Sequence, residues 1–311
     1  MNKSVKLNKI GIYIPENRIS NLNPDIVKKF DLDESFIRNK VGFLNRSIKE
    51  NHEKSSDLCV AAFEDLTSES DFDGEDIKIL VVVTQNPDQK IPHTAAIVHN
   101  KLNLSPDCMT FDISQGCSGF VHALIVIKSL LKNFDSGKAL LFTSDQYSPI
   151  INNDHKNESI LFGDAATVSL LSFDDIGYEI ENSKFGTAPR SNSAISCKED
   201  QLVMDSKQVY NNIKEYVIPS IEKMISQSHA NSKKIDLFLT HQGSKYIIDT
   251  IRNFFNLESS AMPFLAKNYG NTISSSLPIM LKNIIDNKKH QRILLSSFGV
   301  GFSWGNCIIK N

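Results

Sequence analysis

The chain contains no apolar run approaching the roughly 20 residues that cross a bilayer, so no membrane span is expected. Nor is there an excess of one charge. Thirty-four Lys and Arg face 36 Asp and Glu, a formal net charge of −2, which gives no electrostatic reason to expect nucleic acid or an anionic membrane as partner. Cysteine is sparse: the five residues at 59, 108, 117, 197 and 307 are scattered, odd in number and never in C-x-x-C spacing. That argues against a disulfide scaffold and a zinc site, and fits a reducing cytoplasm. The N-terminal residues carry positive charge but no apolar core or small-residue cleavage site, so no secretory leader is expected. No stretch rich in Pro, Gly or Ser divides the chain. The composition, 41% hydrophobic and 23% charged over 311 residues, is that of one large globular domain or two ordinary ones.

The chain instead repeats itself. Gln115 to Asn133 lies over Tyr269 to Asn287 without a gap, so that Gly116 meets Gly270, Cys117 meets Asn271, and Lys128 meets Lys282. Lys138 to Ser144 resembles Gln291 to Ser297, and Ile79 to Thr84 resembles Asp236 to Thr240. Both halves read strand, helix, strand, helix, strand, which points to duplication. The strands are continuous apolar runs, the pattern of strands covered on both faces. The helix from Ser118 carries an apolar stripe at Phe120, Leu124, Ile127 and Leu131. Its counterpart has Pro278 near its start, where a missing N–H costs least, and small residues Thr272, Ser274, Ser275 and Ser276 that permit close backbone approach. Two such halves, stacked through central helices, predict a layered α/β/α/β/α body. The division is read as 1–165 and 166–311. The segment from about Asp174 to Val203 is the least patterned and is expected to be an exposed excursion.

Cys117 ends an apolar, strand-like run and opens a helix, flanked by Gly116 and Ser118-Gly119. A thiol there faces the positive end of a helix, which predicts a lowered thiol pKa and a nucleophilic thiolate. An isolated cysteine is more commonly a small core residue, but the glycine flanks clear space around this sulfur. His241 follows the strand ending at Thr240, where ligands bind in α/β sheets. Taken alone it reads as structural, and Asn271 alone reads as a turn or N-cap residue. The internal repeat pairs Cys117 with Asn271 and raises His241 beside them; a Cys, a His and an Asn, each at a loop-to-helix junction, suggest covalent catalysis on an acyl group.

These residues carry a resemblance. Over nearly its full length the chain resembles the β-ketoacyl-acyl-carrier-protein synthase III family of the thiolase superfamily. Cys117 with Gly119-Phe120 matches the nucleophile motif, Thr240-His241-Gln242 the His motif, and Gly270-Asn271-Thr272 the Gly-Asn-Thr motif. Leu161 to Ala166 and Phe298 to Gly305 match two further signatures. The resemblance implies a thiolase-like five-layered αβαβα fold of two duplicated halves, and a cytoplasmic homodimer. It implies no metal and no organic cofactor, since the substrates carry phosphopantetheine as coenzyme A or acyl-carrier-protein (ACP) thioesters. It also implies a Cys117–His241–Asn271 triad, with backbone N–H groups of Cys117 and Val300 forming the oxyanion hole. Cys117 would take an acyl group. His241 and Asn271, as neutral donors, would stabilise the enolate formed when malonyl-ACP loses carbon dioxide.

Several positions differ from the family. Its adenine-stacking Trp and Arg are Phe36 and Lys156 here, and the Asn of its His motif is Ser244. Val300 stands where glycine is common. Lys40, Arg46 and Lys245 are candidates for a phosphate or carrier-protein surface, with ordinary solvated cations as the alternative. Ile91 falls where a residue of the partner subunit would line the acyl pocket. The leading function is decarboxylative condensation in fatty-acid initiation or a specialised acyl pathway. The alternatives are acyl transfer to O, N or S without decarboxylation, and a non-catalytic partner subunit.

Overall fold

The computed structural model describes residues 4–68, 74–174, 176–230 and 234–311; the rest of the two expected halves lies outside the described residues. Nine strands form the main sheet: β1 (Lys6–Tyr13), β2 (Ile77–Val83), β3 (Met109–Ile113), β4 (Lys138–Ser144), β5 (Ala166–Ser172), β6 (Tyr178–Thr187), β7 (Leu237–Thr240), β8 (Arg292–Gly299) and β9 (Ser303–Lys310). Six helices pack on it: α1 (Ser55–Thr67), α2 (Thr94–Lys101), α3 (Gly119–Leu131), α4 (Ile218–Ala230), α5 (Lys245–Phe254) and α6 (Ser276–Asn287).

The strand order is β7-β8-β9-β6-β1-β5-β4-β2-β3. It is the same arrangement written twice. β2 and β4 are parallel, as are β7 and β8, and β5 and β9 each run antiparallel to their neighbours. At the place that β3 holds beside β2, the carbonyl of Ala261 accepts the N–H of Phe238 in β7 at 2.8 Å. The two sets of strands meet only at a corner, where β1 pairs with β6 through Lys6–Glu179 and Leu7–Tyr178.

Alternation along the buried strands builds the layers. Ile79, Val81 and Val83 of β2 face inward onto Phe120, Leu124 and Ile127 of α3 and Leu277 and Leu281 of α6. Leu80 and Val82 face outward onto Leu58 and Ala62 of α1 and Val98 of α2. In the second set, Leu237, Leu239, Ile293 and Leu295 join the same central cluster, while Phe238 and Leu294 pack with Ile221 and Met224 of α4 and Ile248 and Ile251 of α5. The result is five layers, with α3 and α6 sandwiched between the two sheets. Each fully buried Leu, Ile or Phe in that middle layer contributes about 1.5–3 kcal/mol of transfer free energy.

The small residues before α6 do what their size permits. Ser275 Oγ lies 2.8 Å from Thr143 Oγ1 and 3.2 Å from the carbonyls of Thr143 and Ala165, so the start of α6 abuts β4 with its hydroxyl satisfied. Two expectations are corrected by the strand pairing. β5 starts at Ala166, the first residue assigned to the second half, yet it pairs with β1 and β4 of the first; the chain crosses to the other sheet between Ser172 and Tyr178. The 174–203 segment is no simple excursion. It contains β6, a central strand held between β9 and β1. β6 buries Tyr178 and Ile180 but leaves most of its later residues half-exposed, so its sequence lacks the apolar run that marks the other strands. Among the described residues, no helix is long and apolar enough to cross a membrane.

Candidate active site

Cys117 lies in a tight turn, Gly116–Ser118, that leads directly into α3. Gly116 takes φ +55°, a left-handed conformation that favours glycine, and a Cβ there would come within 2.4 Å of the Gln85 side-chain oxygen. Gly270, before Asn271, also has a positive φ, +83°. The same backbone device therefore delivers both side chains from equivalent places in the two halves.

Asn271 is fixed by its backbone. Its N–H donates to the carbonyl of Leu161 at 2.8 Å, and its carbonyl accepts the N–H of Gly163 at 3.0 Å. This is why the Leu161–Gly163 signature accompanies the site. Asn271 Oδ1 accepts the N–H of Ile273 at 3.0 Å, which assigns the amide and leaves Nδ2 as its free donor. His241 follows β7, its N–H held by the carbonyl of Ser296 on β8 at 2.8 Å. Its ring meets Phe298 edge-on, 5.6 Å between centroids. Nδ1 is enclosed without a partner, so Nε2 is the nitrogen available to a ligand. Burial lowers the imidazole pKa to about 4, so the ring is neutral at neutral pH and offers a single N–H. Gln242 locks the loop: its Oε1 accepts the N–H of Leu265 at 2.8 Å and its Nε2 donates to the carbonyl of Thr240 at 3.0 Å.

Cys117, His241 and Asn271 all line one cavity of about 620 Å³. Backbone N–H groups of Val300 and of Cys117 itself bond toward the sulfur, and Val300 lines the same cavity. The thiol does not follow the expectation drawn from its helix. Burial, with the Asp145 carboxylate adding to it, pushes the Cys117 pKa up to about 12 against the pull of those two N–H groups. Packing α3 between two sheets removes the water that a thiolate needs. Cys117 is a neutral thiol that shares its cavity with a neutral imidazole.

The remaining candidates divide by position. Phe36, Lys40 and Ser244 line the cavity. Lys40 Nζ sits 4.7 Å above the ring of Tyr246. Lys156 is off the lining, its Nζ 5.1 Å above the Phe36 ring. Lys245 is also off it, bound to Asp249 at 2.5 Å. Arg46 is buried, with Nε on Asn21 Oδ1 at 2.9 Å, and so belongs to no docking surface. Ile91 is 86% exposed and away from the cavity. Sequence reasoning missed Tyr147, Ile195, Met204 and Phe298, which form much of the apolar wall. The only signal in reach was Phe298, inside a quoted signature.

Comparison with known proteins adds to this geometry. Residues 111–189 match the model of the 3-oxoacyl-[acyl-carrier-protein] synthase III family, and residues 225–311 match the model of its C-terminal part. Between them the two cover more than half of the chain. It belongs to the β-ketoacyl-ACP synthase III family. A β-ketoacyl-ACP synthase III of Neisseria meningitidis serogroup A is 27% identical over 98% of both chains. One of Campylobacter jejuni subsp. doylei is 28% identical over 98% of this chain and 97% of its own. A 3-oxoacyl-(ACP) synthase structure from Burkholderia xenovorans superposes with a TM-score of 0.89 over 99% of this chain and 94% of that one, at 22% identity, a likeness of fold.

Within the family frame, the local differences have physical readings. Ser244, in the position of the motif's asparagine, caps α5 by accepting the N–H of Ile247 at 3.3 Å, so its hydroxyl is occupied by the helix. Lys156 covers Phe36 as a cation above a ring face and presents no flat guanidinium.

Proposed function

We propose that this chain is a β-ketoacyl-ACP synthase III that joins an acyl thioester to malonyl-ACP, with loss of carbon dioxide, in fatty-acid initiation or a related acyl pathway. The observation that carries the reading is the meeting of a buried thiol, a neutral imidazole and a carboxamide donor in one apolar cavity, with backbone N–H groups at the sulfur.

In the first half-reaction Cys117 attacks the thioester carbonyl. The S–C bond to the enzyme forms, the bond to the carrier sulfur breaks, and the thiol proton ends on the departing carrier thiol. The N–H groups of Cys117 and Val300 hold the oxyanion. In the second, the malonyl carboxylate leaves as carbon dioxide, and its electron pair becomes an enolate whose oxygen accepts from His241 Nε2–H and Asn271 Nδ2–H. The enolate carbon attacks the acyl-Cys carbonyl, the sulfur departs and takes up one proton. The kinetics are ping-pong. Every atom is supplied by the chain, two thioesters and that proton, so the reading includes no metal and no organic cofactor.

The same reading makes the protein a cytoplasmic homodimer that receives its substrates on ACP. The free cysteines suit a reducing compartment. β3 is an edge strand of the sheet with Met109 46% exposed, and Ile91 projects fully outward. An apolar edge of this kind suits pairing with a second copy. Lys40 and Phe36 on the cavity lining, with Lys156 over the Phe36 ring, suit an acidic carrier or the phosphates of coenzyme A; Lys245, tied to Asp249, contributes less. The test is carboxyl-labelled malonyl-ACP supplied with an acyl donor. Labelled carbon dioxide released together with a β-ketoacyl product is expected. Product formed with the label retained would overturn the decarboxylative reading.

A further inference from the structure

Asp145 follows the last residue of β4 and is fully buried. Buried carboxylates are ordinarily paired with a cation, and this one has none among the groups that act on it. Its oxygens are held by Ser274 Oγ at 2.5 Å, by the N–H of Gln85 at 2.6 Å, and by the N–H of Ser274. The donors come from different limbs of the site. Ser274 lies just beyond Asn271 on the turn that starts α6. Gln85 follows β2, and its Oε1 accepts the Tyr147 hydroxyl at 2.8 Å while pressing against Gly116, next to Cys117. The titratable groups around Asp145 are Cys117 and Tyr147, both raised chiefly by burial and further by its charge, with His241 sharing their cavity.

We propose that Asp145 is a positioning residue, which ties the Asn271 loop to the Cys117 turn and, as a buried anion, adds to burial in opposing ionisation of the nucleophile. The idea rests on Cys117 being the nucleophile. Burial pushes Asp145 itself up to about 6, against the bonds from Ser274 and Gln85, so above that pH its charge acts on the thiol. A thiol is far less open to adventitious oxidation and alkylation than a thiolate. It can still acylate, because its proton leaves on the carrier thiol.

The test is alkylation of the full chain by iodoacetamide across about pH 6 to 10, where thiols ordinarily titrate, with the Cys117 adduct located by peptide mass and Cys117→Ala as blank. Asp145→Asn removes the charge and keeps the shape. Its profile is expected to move to lower pH, with alkylation at about pH 8 faster by about fivefold or more. A profile that stays put or moves to higher pH in the folded variant overturns the proposal. If Asp145→Asn does not fold, Asp145→Ser, which also removes the charge, decides. Alkylation needs no thioester: a chain that condenses nothing yet shows the expected moves keeps this proposal and loses the proposed reaction.

Discussion

A β-carbon added to Gly299 would lie 2.6 Å from the sulfur of Cys117. The strand that ends at Gly299 therefore passes directly against the Cys117 side chain, and only hydrogen fits between them. Gly299→Ala should push the sulfur off the N–H groups of Val300 and Cys117. A displacement of about 1 Å costs on the order of 10²-fold in rate, and intact-protein mass measured against time should show Cys117 acylation slowed by that order. Acylation at the wild-type rate would mean that the contact is slack.

The two half-reactions should separate by mutation. Asn271→Ala removes Nδ2 and leaves the Cys117 turn intact. Acyl loading should persist, while carbon dioxide release from malonyl-ACP falls by about 10²–10³-fold, the usual effect of losing one such donor. Cys117→Ala should show the complement, with no acyl adduct and residual carbon dioxide release without a β-ketoacyl product. Equal loss of both steps in Asn271→Ala would assign that residue to folding alone.

His241 should make the fold sensitive to mild acid. Its pKa falls from an ordinary 6.5 to about 4 on burial, so the unfolded chain takes up a proton before the folded one. The stability conferred by its neutral form is complete above 6.5 and drains away as pH falls toward 4, a loss of about 3 kcal/mol. Urea unfolding at about pH 7.5 and pH 4.5 should register most of it, and His241→Gln should shrink the difference. An unchanged difference in the variant would place the acid sensitivity elsewhere.

Gln242 should matter for stability more than its neighbours on the motif. Replacing it with Ala strands the buried carbonyl of Thr240 and frees the part-buried N–H of Leu265 that it now satisfies. An unpaired buried group costs about 1–3 kcal/mol, so the urea midpoint should drop with little change in slope. A midpoint near the wild-type value would mean that water replaces the amide.

The meeting of Cys117, His241 and Asn271 in one cavity was legible in the sequence because each is marked by things a sequence records: glycines beside Cys117 and Asn271, a strand end before His241, and a repeat that aligns the two turns. The five layers followed from apolar runs that admit only doubly covered strands. What was not legible depends on three-dimensional enclosure. The thiol pKa moves opposite to the helix-based expectation because α3 is dry on both sides, and no local pattern states that. Tyr147, Ile195 and Met204 come from separate segments and share no spacing, so the cavity wall could not be drawn in advance. β6 was hidden because its outer half is polar, and Arg46 read as a surface cation because nothing nearby in the chain announces its burial beside Asn21.

Gly116 and Gly270 bend the backbone in the same left-handed way at matching points of the two copies. A symmetric pair of separate, identical half-length subunits would have to place one and the same side chain after both bends, two thiols or two amides facing each other. Joining the copies in a single polypeptide lifts that restriction. One bend can then carry a thiol and the other a carboxamide, as Cys117 and Asn271 do.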